Sequence, residues 1–434
     1  MGQYLSEHPE LSIAQMLKRL KAQQKDEVTA PSEQQRQKIY STAEQDLKAA
    51  FELSWQQLDP LTQKVGQLLS LFASTVIPWV LVERLITKSL QVNWSQADIN
   101  WAKKQLHQQH FIEQVEQQEN FYKISPSIRT LLQFKLAASA QAEDLTKIFA
   151  QAMVEIAYQI PDNPSPKAIE LVKDAIPHLE EVAQTLSSAL SDENLLWLFD
   201  RLGRFYKSQG LYALAESWFV QCLLVAQYRL GHNHPDVAAT LNNLAGFYYS
   251  LGCYSKAGAL YEQALSLRKN ILGDEHPDVA TTLNNLAALY YSQGRYSEAK
   301  PLYEQALALR KHVLGDEHLD VATTLNDLAL LYYSQRRYNE AKSLYKQALS
   351  LRKHLLGDKH PDVATTLNNL AALYKSQGQY RKAEFLLLKA LEINEQVFGF
   401  THPNTVIFRK NLAIVRMKRN TSKSLLQKLF LFRK

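Results

Sequence analysis

His276-Pro277-Asp278-Val279-Ala280-Thr281-Thr282-Leu283-Asn284-Asn285-Leu286-Ala287-Ala288-Leu289-Tyr290 is the stretch that decides the architecture, because it comes back at a fixed interval. Its opening tetrad is matched by His234-Pro235-Asp236-Val237, His318-Leu319-Asp320-Val321 and His360-Pro361-Asp362-Val363, 42 residues apart each time, and His402-Pro403-Asn404-Thr405 opens a last half-copy. A degenerate copy without the His-Pro signal aligns at Leu195 to Gly231. A period of this length marks stacked supersecondary units, none of which covers its own apolar face.

Within one period, Leu283, Leu286, Ala287 and Tyr290 share a single helical stripe, which defines helix A. After Gly294, the residues Ala299, Leu302, Tyr303, Ala306 and Leu307 repeat that spacing on helix B. Gly294 stands where helix A must end at positive φ, as do Gly210, Gly252 and Gly378, whereas Arg336 takes that place in one copy. Helix B stops at Gly273, Gly315 or Gly357, and the His-Pro pair starts the next helix A with proline near its first turn. The histidines read as turn residues before proline, not as metal ligands. The pairs Arg268-Lys269, Arg310-Lys311 and Arg352-Lys353 lie near the ends of B helices and read as solvated charges that complement the helix dipole.

The run Leu-Asn-Asn-Leu-Ala followed by Tyr, Gly, Tyr, Ala, Tyr and Ala resembles, position by position, tetratricopeptide repeats in the 42-residue form of kinesin light chains. The resemblance covers Leu195 to Arg419. It implies a mainly all-α chain in which residues 192–419 form an α-solenoid of five helical hairpins and a capping helix. It also implies a groove, lined mainly by A helices, that takes an extended peptide or a partner helix. The 100° step of the helix turns a row comprising Asn242, Asn284, Asn326, Asn368 and Lys410 toward that groove. Carboxamides offer donors and an acceptor to a peptide main chain whatever its sequence. Tyr249, Tyr291 and Tyr333 would add ring area at low entropic cost. A second row, Asn243, Asn285, Asp327 and Asn369, reads either as framework bonding the neighbouring hairpin or as ligand contact. Tyr248, Tyr290, Tyr332 and Tyr374 have core spacing.

Residues 47–137 carry a second resemblance. Leu47-Lys-Ala-Ala-Phe-Glu-Leu-Ser-Trp55-Gln-Gln-Leu-Asp-Pro60, then Val76-Ile77-Pro78-Trp79 and Phe121-Tyr122-Lys123-Ile124-Ser125-Pro126, look like the winged-helix region of NB-ARC/STAND signalling ATPases, with Ser125 where that family usually has histidine. On this reading residues 1–46 are a helical remnant and linker, residues 138–191 a helical connector and residues 420–434 a basic tail. No Gly-Lys dipeptide and no Gly-x-Gly occurs, so no phosphate-cradling loop is expected and no cofactor with it. HExxH, CxxC and GxSxG are absent too, which argues against an enzyme.

Composition sets the remaining bounds. Among 434 residues, 46% are hydrophobic and 21% charged, near the globular average, which argues against a wholly disordered chain or a membrane protein. Two cysteines, Cys222 and Cys253, fit a reducing compartment, and a cytoplasmic location is expected. The formal charge of +6 is concentrated in Arg409 to Lys434, which holds nine Lys or Arg and no acid. Such a basic, partly apolar end suits either membrane contact or capping of the array, and capping is the favoured reading. The expected function is a non-catalytic adaptor that binds a peptide or partner protein, with a separate NB-ARC-type ATPase subunit as one such partner. The alternative is a winged-helix DNA-binding regulator. Lys103-Lys104 would then meet phosphate, but two lysines make a thin basic surface, so nucleic acid is not the expected partner.

Overall fold

The structure is a computed structural model that describes residues 33–89, 94–161, 164 and 166–431. It divides into two compact units, one ending at Ala215 and the other beginning at Glu216. Residues 1–32, most of the segment read from sequence as a helical remnant and linker, lie outside the described residues.

In the first unit the order is α1 (Glu33–Gln56), α2 (Pro60–Leu69), β1 (Ile77–Pro78), α3 (Trp79–Ser89), α4 (Gln96–Gln108), β2 (Glu113–Gln114), β3 (Phe121–Lys123) and α5 (Pro126–Ala137). There follow α6 (Ala142–Ala157), α7 (Pro166–Val172), α8 (Ile176–Thr185) and α9 (Asp192–Ser208). The strands pair antiparallel in the order β1-β3-β2, with Ile77 opposite Tyr122 and Glu113 opposite Lys123. Helix starts follow from local chemistry. Asp59 accepts from the Thr62 N–H at 3.0 Å to cap α2, and Ser95 with Asp98 forms a reciprocal capping box on α4. Ser125 caps α5 by accepting from the Ile128 N–H at 3.3 Å.

Phe51, Trp55 and Phe111 stack at the centre of this unit, with centroids 5.3–5.9 Å apart. The boundaries read from sequence at 46, 137 and 191 fall within the unit, and α1 runs straight across the first of them. Residues 138–191 pack on the rest: Phe149 of α6 meets Phe72 at 4.9 Å, and the fully buried His178 of α8 meets Phe72 at 4.9 Å. His178 Nδ1 accepts from the Ala73 N–H and its Nε2–H donates to the Val76 carbonyl, both at 3.2 Å. Burial pulls the ring's pKa down to about 4, and the neutral tautomer required by these two bonds results.

Helix α10 (Tyr212–Leu230) crosses the division, and the second unit continues with α11 (Pro235–Ser250), α12 (Tyr254–Leu272), α13 (Pro277–Ser292), α14 (Tyr296–Leu314) and α15 (Leu319–Ser334). It ends with α16 (Tyr338–Leu356), α17 (Pro361–Ser376), α18 (Tyr380–Phe398) and α19 (Pro403–Leu431). Odd-numbered helices are A and even-numbered ones B. From α11 onward each A helix packs on its own B helix, and each B helix packs on the next A. Ala287 and Ala299, both fully buried, cluster with Tyr303, Leu328 and Leu331, and the fully buried Ala306 clusters with Val279, Ala280 and Leu283; Leu286 is buried as well. From α11 to α17 each A helix is capped by the histidine before it: the Nδ1 atoms of His234, His276, His318 and His360 accept from the N–H of Asp236, Asp278, Asp320 and Asp362 at 3.1–3.2 Å.

The turn from A to B places Gly294 at φ 76°, and Arg336 occupies the equivalent left-handed position at φ 62°. A side chain there is disfavoured by contact of Cβ with the following carbonyl.

The helix-end arginines require a correction. Arg268, Arg310 and Arg352 are buried, not solvated. Arg310 donates to the Asp320 carbonyl at 3.0 Å, to Thr324 Oγ1 at 2.6 Å and to Thr281 Oγ1 at 3.2 Å, so one guanidinium ties its own A helix, its own B helix and the next A helix. Arg352 repeats this with Asp362, Thr366 and Thr323. Arg268 bonds Asp278 and Thr282, and Ala239 stands where the later copies have the third threonine. The lysines do remain at the surface, paired with Asp274, Asp316 and Asp358 at 2.6–2.9 Å.

Successive A helices α11, α13, α15 and α17 also approach one another directly, while no comparable approach joins successive B helices among the described residues. The A faces therefore lie on the inner side of the stack. Helix α19 continues unbroken through residue 420, and Arg416 and Arg419 pair with Glu384 of α18. The membrane-contact reading of the tail rests on side chains from 422 onward, which lie outside the described residues. No helix among the described residues is long and apolar enough to cross a membrane.

Candidate functional site

The inner faces of the A helices bring the two asparagine rows side by side, because consecutive residues on a helix turn by only 100°. Across each junction an amide bridges neighbouring repeats. Asn285 Nδ2 donates to Asn242 Oδ1 at 3.0 Å, Asn369 to Asn326 at 3.2 Å and Asn411 to Asn368 at 2.9 Å. Asn285 and Asn369 thus do framework work, while Asn243 lies half-buried at the head of the row.

The first row does not stand free, as the sequence reading had it. Asn242, Asn284 and Asn326 are less than a tenth exposed, Asn368 is half-buried, and each bonds a side chain of the next repeat. The physical reason is proximity: stacked A helices lie close enough for side chains of successive repeats to bond, and an amide unable to reach water must pair with its neighbour. The Nδ2 groups of Asn242 and Asn368 make no bond to protein among the described residues, so the row still offers donors at intervals. Lys410 ends the row exposed on α19.

Tyr249, Tyr291 and Tyr333 are half-buried beside these amides. Their hydroxyls pair with Ser292, Ser334 and Ser376 of the next repeat at 2.8–2.9 Å. Their rings lie 5.5–6.1 Å from those of Tyr254, Tyr296 and Tyr338 on the B helices. Such held rings present contact area without further ordering cost. Burial pushes the Tyr291 hydroxyl's pKa up. The neighbouring tyrosines face the other way: Tyr248, Tyr290 and Tyr332 bond Glu216, Glu262 and Glu304 at 2.6–3.5 Å.

Sequence reasoning missed a third set. Tyr261, Tyr303 and Tyr345 rise from the B helices, nearly or fully buried, and desolvation pushes the pKa of all three hydroxyls upward. Tyr303 and Tyr345 both lie within electrostatic reach of Asp327 and Tyr291. Their 42-residue recurrence was visible, but nothing in a helical stripe tells a buried ring with an inward hydroxyl from plain core. Asp327 itself accepts from Asn284 Nδ2 at 3.1 Å and from Asn326 Nδ2 at 3.3 Å. Desolvation raises its pKa, against the pull of those bonds and of Arg352 and Arg310.

In the first unit, Lys103 is already engaged. Its ammonium donates to Asn120 Oδ1 at 2.6 Å and sits 5.3 Å and 5.1 Å over the rings of Trp79 and Tyr122. That removes one of the two lysines on which the DNA-binding alternative relied.

Family models described as tetratricopeptide repeat match residues 195–236, 236–312, 294–354, 320–396 and 362–425, together more than half of the chain. The chain belongs to the tetratricopeptide-repeat proteins, and its fold is that of a protein-interaction scaffold, a class typically without catalysis. Among solved structures, it is similar to BtubC (BKLC) from P. vanneervenii at 28% identity, over 54% of this chain and 92% of that one, with a TM-score of 0.43. It is also similar to NprR in complex with its cognate peptide NprX, at 17% identity over 71% and 82% of the two chains, TM-score 0.46. A signal transduction ATPase with numerous domains and a tetratricopeptide-repeat sensor, from Pyrococcus horikoshii, matches at 14% identity over 89% and 66%, TM-score 0.41. No curated protein matches the chain.

Proposed function

We propose that this chain is a cytoplasmic, non-catalytic adaptor whose inner A-helix face holds an extended peptide segment of a partner protein. The observation that carries the reading is the coincidence, on one face of successive A helices, of the amide donors of Asn242 and Asn368, the held rings of Tyr249, Tyr291 and Tyr333, and the small residues Gly246, Ala288 and Ala372, with Leu330 at that level on α15. Main-chain amides of a ligand would meet the carboxamides, and its side chains the rings.

The role of sensor in a STAND-type signalling system belongs to the same proposal, with a separate NB-ARC-type ATPase subunit as the partner. It is supported by the sequence resemblance of residues 47–137 and by the helix–strand–helix–helix–strand–strand order from α2 to β3, which is the order of a winged helix.

Changing the first-row asparagines to alanine is a poor test, since it would strand the amides that pair with them. Filling the groove is better. Peptides selected from a displayed random 12-residue library on the full chain should lose at least tenfold in affinity for Ala288→Trp, and keep it for Gln305→Trp on the exposed face of α14. Equal affinity for both variants would place binding elsewhere.

A further inference from the structure

One repeat junction differs from the others in a way that costs stability. At the second-row position the copies carry Asn285, Asn369 and Asn411, each donating an amide hydrogen backward to the first row, but the third copy carries Asp327. A carboxylate has no hydrogen to give. Asn284 is therefore turned over: its Nδ2 donates to Asp327 Oδ2, and its Oδ1 is buried with no hydrogen-bond partner among the described residues. Tyr345, fully buried and within electrostatic reach of the same carboxylate, has a hydroxyl that is likewise unpartnered among the described residues. Tyr303 approaches from the preceding B helix. The Asp327 carboxylate is hydrogen-bonded directly to Asn284 and Asn326, and Tyr303 and Tyr345 lie within electrostatic reach of it and of the half-buried Tyr291 at the same junction.

Among the described residues, Asn284 Oδ1 lacks a donor, the Tyr345 oxygen can accept one, and each Asp327 oxygen accepts only one amide hydrogen, so the junction keeps unused acceptor capacity beside a carboxylate. Resting on the peptide-groove reading above, we propose that Asp327, Asn284 Oδ1 and Tyr345 form a seat for a cationic side chain, lysine or arginine, of the bound peptide. An ammonium or guanidinium brings only donors, which the unpaired Asn284 Oδ1, the Tyr345 oxygen and the second lone pairs of the Asp327 carboxylate would accept. Neutral amide junctions on either side read backbone, and this one fixes the register of the ligand by one charge. Arg310 and Arg352 oppose the seat electrostatically, but the hydrogen bonds of their terminal Nη1 and Nη2 groups go to Asp320, Thr324, Thr281, Asp362, Thr366 and Thr323, not to the Asp327 carboxylate.

The test uses the full chain and Asp327→Asn, which installs the residue of the sister repeats and so leaves folding secure. Library peptides selected as above are resynthesised with each Lys or Arg changed in turn to norleucine or to Glu. For one position, binding to the wild type should fall at least tenfold with norleucine and further with Glu, and on Asp327→Asn the lysine and norleucine forms should differ by less than twofold. Selected peptides that bind without regard to charge overturn the seat while leaving the groove standing. If the library yields no binder, the groove reading fails, and n-butylammonium chloride decides the seat alone: a saturable shift of the Asp327 side-chain carboxyl carbon resonance supports it, and an unmoved resonance overturns it.

Discussion

Asp327→Asn should stabilise the array, although it removes a charge from an already basic chain. The wild-type junction leaves Asn284 Oδ1 buried and unpaired and holds a carboxylate in a desolvated place. An asparagine at 327 can donate to Asn284 as Asn285 does to Asn242, and still accept from Asn326. Satisfying one buried acceptor is worth about 1–3 kcal/mol, and part of that is offset by exchanging a charged acceptor for a neutral one, so a net gain of about 1 kcal/mol is expected at pH 7. The sign of the pH dependence follows from linkage. The folded-state pKa of Asp327 is raised above its ordinary 3.8, so the folded wild type binds more protons in the window above that value and loses stability as pH rises through it. Below pH 3.8 the protonated acid can itself donate to Asn284, and the advantage of the variant should shrink toward zero. Arg310, Arg352, Tyr303 and Tyr345 are the charged and titratable groups that bear on this carboxyl. Hydrogen exchange read by mass spectrometry over α13 to α16 is the appropriate assay, because in a repeat array the effect stays near the altered junction. Exchange about fivefold slower at neutral pH, converging with wild type in acid, is the expected result. Faster exchange, or a difference independent of pH, would refute the reasoning.

Three further outcomes follow from the same structure. Arg310→Lys should destabilise by about 2–3 kcal/mol in urea unfolding, because an ammonium cannot reproduce the fork that joins Thr281, Thr324 and the Asp320 carbonyl; a loss under 0.5 kcal/mol would show that the staple is unimportant. Arg336→Gly should gain about 0.5–1 kcal/mol, the relief of a left-handed side chain less the added freedom of the unfolded glycine, and a destabilised variant would count against the turn geometry. The first unit should lose up to about 3 kcal/mol as pH falls from 6.5 toward 4, since the depressed pKa of His178 means that the unfolded chain takes up the proton first. His178→Gln should flatten that profile when followed by tryptophan fluorescence, five of the six tryptophans being before Ala215.

The repeat was legible because its signals are local. The 42-residue period, the A and B stripes, the glycine turns and the histidine starts are each specified by residues within one or two helical turns, and the structure has all of them. What was not legible depends on partners from a different helix. Arg310 looks like an ordinary helix-end cation until Thr324, on the next repeat, is seen to receive it; the recurrence of threonine 14 residues after each such arginine was the available clue. Likewise the 100° step gives the direction of Asn284 but not its depth, so the amide was expected at the surface and lies under its neighbour. The two- and three-residue strands of the first unit are too short to carry any periodicity, and only the family resemblance pointed to them.

The claim beneath all of this is that ligand lies along the inner face, and its position can be read directly. With the photoreactive p-benzoylphenylalanine at Tyr291 or, separately, at Gln305, a library-selected peptide is irradiated on the full chain and the adducts are mapped by mass spectrometry. Adducts through position 291, lost on adding Ala288→Trp, with none through 305, are what the account predicts; adducts through 305 and none through 291 would contradict it.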